Sequence, residues 1–225
     1  MHLRADRGDK PRRRRLDAAS RRETILEAAI PLFASAGYEH TRMSDVAARV
    51  GVTEPVIFQN FGTKAELFAA ALERASRDAA AYLSDLASEC ANVHDWLRHL
   101  LEAEHLDRLH TAPMFGVLFA EAHRLQPDAG IAEALQQSIA RSAEALAGIL
   151  RRGQAQGSIR ADASPVTLAW LVVSLIQARQ FRRRHIAEPS PALESDLLTR
   201  ILDAFRPQER AQDLETDSGS PLSSS

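Results

Sequence analysis

Residues 41–68 read TRMSDVAARVGVTEPVIFQNFGTKAELF, and this stretch decides the fold. Apolar residues recur every three or four positions after Thr41, which predicts a short helix over residues 42–50 that is capped by the Thr41 hydroxyl. A turn at Gly51 and Val52 follows. Thr53 is placed to cap a second short helix over residues 54–60, and Pro55 falls in its first turn, where a missing N–H costs little.

A long helix follows the second short one. Thr63 and Glu66 form a capping box, in which the hydroxyl and the carboxylate each satisfy a free backbone donor. The helix then runs to about Leu86. Helix, turn and helix in this order predict a helix-turn-helix, whose second member enters the major groove of DNA.

The second short helix has one apolar and one polar face. Its N-terminus would offer free N–H groups and the positive end of the helix dipole to phosphate. The residues expected to hold the two short helices together are Val46, Val50, Ile57 and Phe61. Those left facing outward are Glu54, Val56, Gln59 and Asn60.

The run from Gly37 to Phe68, with Leu32 and Phe33 before it, resembles the DNA-binding domain of the TetR family of transcriptional regulators. The resemblance implies base contacts by Ser44, Pro55 and Val56. It also implies phosphate contacts by Thr53, Asn60 and Lys64.

Two positions depart from the family pattern. Phe58 stands where a phosphate-binding Tyr is usual, so one contact is lost. Arg42 replaces a Ser or Thr that often caps the helix, but its side chain can still reach phosphate. The complete set predicted to contact DNA is Arg42, Ser44, Thr53, Glu54, Pro55, Val56, Gln59, Asn60 and Lys64.

Alternatives remain open for several of these residues. Val56 either touches a thymine methyl group or only packs. Glu54 either accepts from a cytosine or only complements the helix dipole. Pro55 starts the helix first and contacts DNA second, and Lys64 could be an ordinary solvated lysine.

The remaining sequence predicts an all-α fold, with an N-terminal three-helix helix-turn-helix domain followed by a helical-bundle ligand-binding and dimerisation domain. The first helix covers about residues 21–36, with a kink at Pro31 and a stop at Gly37. The helices predicted for the body cover about residues 93–109, 113–125, 128–156, 165–184 and 191–205. The predicted domains are a disordered basic arm at 1–20, the DNA-binding domain at 21–68, the body at 69–206 and a disordered tail at 207–225.

Charge divides the chain unevenly. Residues 1–68 hold 12 Lys/Arg and 9 Asp/Glu, whereas residues 69–225 hold 16 and 21. A basic small end and an acidic large end suit a protein that meets phosphate at one end only. The run Arg12–Arg15 is either a solubilising tail or a flexible arm that reaches DNA.

Several other classes find no support in the sequence. Cys90 is the only cysteine, so an internal disulfide and a zinc-thiolate cluster are excluded. No two histidines are spaced four apart on one predicted helix, and we expect no metal and no cofactor. No nucleophile elbow or phosphate loop is present, which argues against an enzyme. No apolar stretch resembles a signal peptide or a membrane span, so we expect a cytoplasmic protein.

Large and polar side chains in the body predict where a small molecule binds and how two copies associate. Pockets in helical bundles are lined by aromatic and aliphatic residues with a few polar groups. The residues predicted to bind ligand are Trp96, His99, Met114, Phe115, Phe119, His123, Trp170 and Gln177. The helix from Pro165 is apolar all round, so it is expected to be buried on two sides in a homodimer. The residues predicted at that interface are Leu171, Leu198, Ile201 and Phe205.

We therefore expect a sequence-specific transcriptional regulator that binds a palindromic DNA operator as a dimer and is released by a small apolar ligand. Two alternatives stay open. One is an all-helical enzyme that uses the helix-turn-helix for assembly. The other is a DNA-binding protein without a ligand that is regulated by a partner protein. The sequence also leaves open whether the regulator represses or activates.

Overall fold

The structure is a computed structural model that describes residues 17–102, 105–106, 116–125, 128–185 and 191–208. Within these ranges the chain is entirely helical, as predicted. The helices are α1 (Ala18–His40), α2 (Met43–Val50), α3 (Glu54–Phe61), α4 (Lys64–Glu89), α5 (Val93–Leu101), α6 (Gly116–Arg124), α7 (Ala129–Ala155), α8 (Pro165–His185) and α9 (Pro191–Phe205). The predicted arm and tail lie outside the described residues, apart from 17–20 and 207–208. None of the described helices is long and apolar enough to cross a membrane.

The first helix begins after a capping Asp17 and is interrupted at Gly37. It begins at Ala18, three residues before the predicted start, because the Asp17 carboxylate accepts the Ser20 N–H at 2.7 Å and caps it. Within the helix, non-helical dihedral angles occur at Gly37, with φ 78° and ψ 169°, and not at the predicted kink of Pro31. Only a glycine adopts such a φ without strain.

The cap predicted for α2 is wrong. The Thr41 side chain is buried, and its hydroxyl donates to the Gly37 carbonyl at 2.8 Å and lies 3.2 Å from the Leu32 carbonyl. The N-cap position falls on Arg42, whose backbone N–H donates to the Asp45 carboxylate. Thr41 therefore closes the end of α1 rather than the start of α2, since its hydroxyl lies on the α1 side of the chain.

The capping box at the start of α4 is confirmed. The Glu66 N–H donates to the Thr63 hydroxyl at 3.1 Å, and the Thr63 N–H donates to the Glu66 carboxylate at 2.8 Å. The long α4 that this box starts packs against α7 in the most extensive helix pair of the described chain. α4 thus belongs to the DNA-reading end at its start and to the body along its length.

Two apolar clusters form the core. The first cluster joins α1, α2, α3 and the first part of α4 to α6 and the start of α7. Its buried residues are Ile25, Leu26, Ala29, Ile30, Phe33, Met43, Val46, Ala47, Ile57, Phe61, Leu67, Phe68, Ala71, Leu72, Ala75, Leu118, Phe119, Ala122, Ile131, Ala134 and Leu135. The helix-turn-helix therefore shares one continuous core with part of the body.

The second cluster lies in the body alone and joins the end of α4, α5, the second half of α7, α8 and α9. Its buried residues are Ala87, Val93, Trp96, Leu97, Leu100, Leu101, Leu146, Ala147, Ile149, Leu150, Ile159, Leu168, Ala169, Val172, Leu202 and Phe205. The end of α9 is fixed to it by polar contacts as well. The Arg160 N–H donates to the Phe205 carbonyl at 2.9 Å, and a His94 ring nitrogen lies 3.3 Å from the Leu202 carbonyl.

Candidate DNA-binding surface and body

The recognition helix α3 presents one buried and one exposed face. Ile57 and Phe61 are buried in the first cluster, which fixes the helix against α1, α2 and α4. Val56 and Asn60 lie at the half-buried edge between the two faces. The exposed residues of the helix are Glu54, Pro55, Phe58 and Gln59. The exposed strip is thus narrow and carries no basic residue, so any charge-based affinity must come from the residues around it.

The start of α3 is free to meet an anion. Thr53 occupies the N-cap position, yet its hydroxyl makes no cap hydrogen bond. The Val56 N–H donates instead to the Thr53 carbonyl at 3.0 Å. An unengaged hydroxyl at the positive end of a helix dipole is well placed for a phosphate oxygen. Arg42 and Ser44, at the start of α2, are exposed.

Lys64 is half-buried and contacts two residues of its own chain. Its Nζ donates to the Glu39 carbonyl at 3.1 Å and lies 4.6 Å from the centroid of the Tyr38 ring. An ammonium group has three donors, so this bond leaves others for phosphate. Burial, and after it the charges of Asp128 and Glu39, raise the pKa of Tyr38, which keeps the phenol protonated.

The other end of α3 is held by a residue that the sequence did not single out. The Arg22 guanidinium donates to the Asn60 carbonyl and lies 4.1 Å from the centroid of the Phe61 ring. The Asn60 side chain donates back to the Val56 carbonyl at 2.7 Å. Arg22 thereby pairs a cation with the negative end of the helix dipole. Arg22 and Asn60 are 38 positions apart, and no local spacing pattern relates such residues. The only sequence signal for a role of Arg22 was the excess of positive charge in residues 1–68.

An open cleft of about 430 Å³ lies beside this contact. Its lining residues are Arg22, Asn60, Phe61, Gly62 and Glu66. Asn60 is the predicted DNA contact among them, so Arg22 lies beside that residue at the end of α3.

The structure separates the residues predicted to bind ligand. Trp96 is fully buried in the second cluster, and its Nε1–H has no hydrogen-bond partner among the described residues. Phe119 is buried in the first cluster, whereas His99 is exposed and lies 3.6 Å from the Glu102 carboxylate. Trp170 is 44% exposed on α8, which places it on the outer surface of the body. Met114 and Phe115, together with the side chain of Gln177, lie outside the described residues.

One pair of these residues does come together. The ring centroids of Phe119 and His123 lie 5.4 Å apart on α6, and His123 Nδ1 lies 2.9 Å from the Phe119 carbonyl oxygen. A carbonyl only accepts, so Nδ1 carries the proton. No group of three His, Cys, Asp or Glu side chains within the described ranges could hold a metal ion.

The residues predicted at the dimer interface divide into exposed and buried ones. Leu171 is 48% exposed, while Leu198 and Ile201 are half-buried against the second cluster. Phe205 is 1% exposed within its own protomer and offers little surface to a partner. Of the six large apolar residues exposed in the described chain, four lie on α8 and α9, namely Val166, Trp170, Leu171 and Leu193.

An all-helical chain with a two-helix DNA-reading unit on a larger helical body defines a class, the helix-turn-helix transcriptional regulators. Residues 25–71 match the family model described as bacterial regulatory proteins, tetR family. The repressor AcnR of Corynebacterium diphtheriae is 31% identical over 134 residues, which cover 54% of this chain and 67% of AcnR. The chain belongs to the TetR family and is a DNA-binding transcriptional regulator, not an enzyme.

Other similar proteins agree with this assignment. The activator FasR of Mycolicibacterium smegmatis is 40% identical over 67 residues, which cover 30% of this chain and only 31% of FasR. A TetR-family regulator from Cytophaga hutchinsonii superposes with a TM-score of 0.65 at 16% identity, over 88% of this chain and 100% of that one.

Two further solved structures share the fold and were determined with ligands. A regulator from Saccharomonospora viridis in complex with choline has a TM-score of 0.63 at 21% identity, over 82% of this chain and 96% of that one. FadR of Bacillus subtilis in complex with stearoyl-CoA has a TM-score of 0.60 at 17% identity, over 82% and 99%.

Proposed function

We propose that this chain is a homodimeric repressor that binds a palindromic operator through its two α3 helices and leaves it when a small apolar ligand enters the body. The observation that carries the proposal is the build of α3. Its inner face is locked into the first cluster by Ile57 and Phe61, while its outer face and its uncapped N-terminus stay open. A helix fixed in this way delivers its exposed side chains to base edges in a constant orientation.

The proposed DNA contacts follow from their positions. Pro55, Val56 and Gln59 would meet bases, and Glu54 would meet a cytosine amine. Phosphates on either side would be held by Arg42, Thr53, Asn60 and Lys64. Ser44 would reach a base from the start of α2.

Exposed apolar surface supports the dimer. Val166, Trp170 and Leu171 are exposed on α8, while Leu168 and Val172 of the same helix are buried in the second cluster. Such side chains lose contact with water when two copies of the helix pair about a two-fold axis. The proposed interface therefore combines this strip of α8 with Leu193, Leu198 and Ile201 of α9. It includes Trp170 as a dimer contact rather than a ligand contact, and it omits Phe205.

Different observations support the repressor role and the presence of a ligand. AcnR is named a repressor, and the match to it covers 134 residues. FasR is named an activator, and the match to it covers only 67 residues. Proteins of the same fold hold choline and stearoyl-CoA. In this chain the buried Trp96 Nε1–H, which has no hydrogen-bond partner among the described residues, is one polar group that a ligand in the body would meet.

Selection of duplexes from a random library by the full-length protein tests the proposal. We expect an imperfect palindrome whose half-sites are centred about 34 Å apart or a multiple of that distance. Transcription in vitro from a promoter that overlaps the selected sequence should fall when the protein is added. Selection without a consensus sequence would contradict the proposal. A rise in transcription would show that the protein is an activator and not a repressor.

A further inference from the structure

One hydrogen bond connects the body directly to the end of α1. The Tyr38 backbone N–H donates to Glu121 Oε1 at 3.0 Å, although the two residues are 83 positions apart. Glu121 lies on α6, and its side chain is only 12% exposed. Its second oxygen accepts from Arg124 at 2.6 Å, at the surface of the same helix. The contact is therefore a largely buried, charge-assisted bond between two parts of the molecule that are distant in sequence.

The backbone at Gly37 explains why Tyr38 needs this acceptor. The ψ of 169° rotates the peptide between Gly37 and Tyr38 out of the helical orientation, so its N–H points away from the axis of α1. A backbone donor that is removed from water must find a partner elsewhere. Glu121 Oε1 also lies 3.6 Å from the position that a Cβ on Gly37 would take. The carboxylate thus packs against the bare glycine and accepts from the residue after it.

The turn that Glu121 holds also positions Lys64. The Tyr38 ring lies in edge contact with Phe68, with centroids 5.3 Å apart, and under the Lys64 ammonium group. The next carbonyl along the chain, that of Glu39, accepts from Lys64 Nζ. Both of these contacts of Lys64 are therefore made by the two residues that follow Gly37.

We propose that Glu121 is a positioning residue for DNA binding, which fixes the Gly37–Tyr38 turn and through it the ammonium group of Lys64. This inference rests on the proposed phosphate contact of Lys64. The body carboxylate orders a basic side chain that faces the DNA without touching DNA itself. Loss of the acceptor frees the turn, and Lys64 then pays more conformational entropy on binding phosphate.

A double-mutant cycle with Glu121→Ala and Lys64→Ala tests this inference on the duplex selected by the wild-type protein. Each single variant should bind about tenfold more weakly than wild type. The double variant should bind no more than about twofold more weakly than Lys64→Ala alone, because both changes act on one contact. Glu121→Gln keeps an oxygen that can accept the Tyr38 N–H and should recover most of the affinity. Arg124→Ala, which removes only the surface partner of Glu121, is the matched control and should stay within about twofold of wild type.

Fully additive losses would overturn the proposal, as would wild-type affinity in a folded Glu121→Ala variant. If Glu121→Ala does not fold, amide hydrogen exchange of Tyr38 in the wild-type protein decides the point. Slow exchange, retained in Glu121→Gln, supports the bond, and exchange at the rate of a free amide refutes it. Failure of the proposed function is a different result, since the wild-type protein would then select no duplex at all.

Discussion

The two apolar clusters resemble each other in composition but differ in what borders them. Cationic side chains border the first cluster, with Arg22 over Phe61 and Lys64 over Tyr38. Exposed apolar side chains border the second cluster, with Trp170 and Leu171 on α8, which also buries Leu168 and Val172 in that cluster. Cations attract a polyanion, and exposed apolar surface favours a protein partner. This difference is the physical basis for proposing DNA at the border of the first cluster and a second copy at the border of the second.

The most severe test of this comparison is a charge on the apolar border. Leu171→Asp would place an unpaired carboxylate in the proposed interface of both protomers, which costs several kcal/mol per ion. We expect monomers by light scattering and a loss of operator affinity of more than about 100-fold. Tyr82→Asp is the matched control, since Tyr82 is 49% exposed on α4 and is not one of the proposed interface residues. If the Leu171→Asp variant stays dimeric, Leu171 does not lie at the interface.

Two glycines of α7 test how tightly the second cluster is packed. A Cβ on Gly153 would lie 2.5 Å from Ile159 and 2.7 Å from Val93, whereas a Cβ on Gly148 would meet nothing within 4 Å. Gly153→Ala should therefore destabilise the fold by about 2 kcal/mol through overpacking. Gly148→Ala should stabilise it by about 0.5–1 kcal/mol, because alanine favours the helix. Urea unfolding measures the free energy of unfolding of both variants. Equal changes would show that the second cluster rearranges to accommodate the added methyl group.

At the border of the first cluster, Lys64→Ala tests the phosphate contact. The variant should bind operator and random duplex more weakly by similar factors. Its plot of log affinity against log salt should lose a slope of about one unit for each Lys64 that binds phosphate. Titration at several salt concentrations by fluorescence anisotropy gives the slope. An unchanged slope with an altered base preference would mean that Lys64 reads bases instead.

The smallest expected effect belongs to Val56, at the edge of the recognition helix. Val56→Ala should cost about 1 kcal/mol at one symmetric pair of operator positions, through a lost contact with a thymine methyl group. Affinities for operators substituted at each position locate the effect. A loss that is equal on operator and random duplex would show that Val56 only packs.

Local patterns predicted most of the fold because each depends on neighbouring residues. The Thr63–Glu66 capping box, the start of α8 at Pro165 and the end of α9 at Phe205 were all correct. The cap predicted at Thr41 was wrong although the groups that its hydroxyl contacts are near in sequence. Its hydroxyl had a choice between the N-terminus of α2 and the carbonyls at the end of α1, and the break at Gly37 brought those carbonyls within reach.

The candidate site was predictable to the extent that it lies on one short segment. Positions 53–60 follow from helical periodicity, and Glu54 and Gln59 lie on the exposed face of α3 as predicted. Val56 and Asn60, also predicted to face outward, are half-buried, and the exposed Phe58 was not predicted to face outward. The contacts of Arg22 with α3 and of Glu121 with Tyr38 join residues 38 and 83 positions apart, and no single-sequence pattern encodes such pairs. The ligand residues were predicted from their size and polarity, which do not show which side of a helix a residue faces. For this reason the prediction placed Trp170 in the ligand site, whereas its side chain lies at the surface.

The central claim is that two chains read two half-sites with paired α3 helices, and the binding of wild-type protein to whole and halved operators tests it most directly. The duplexes are the selected palindrome and a duplex of equal length that keeps one half-site. We predict two chains on the palindrome, measured by light scattering of the complex, and an affinity at least about 100-fold higher than for the single half-site. One chain bound to each duplex with equal affinity would contradict the account.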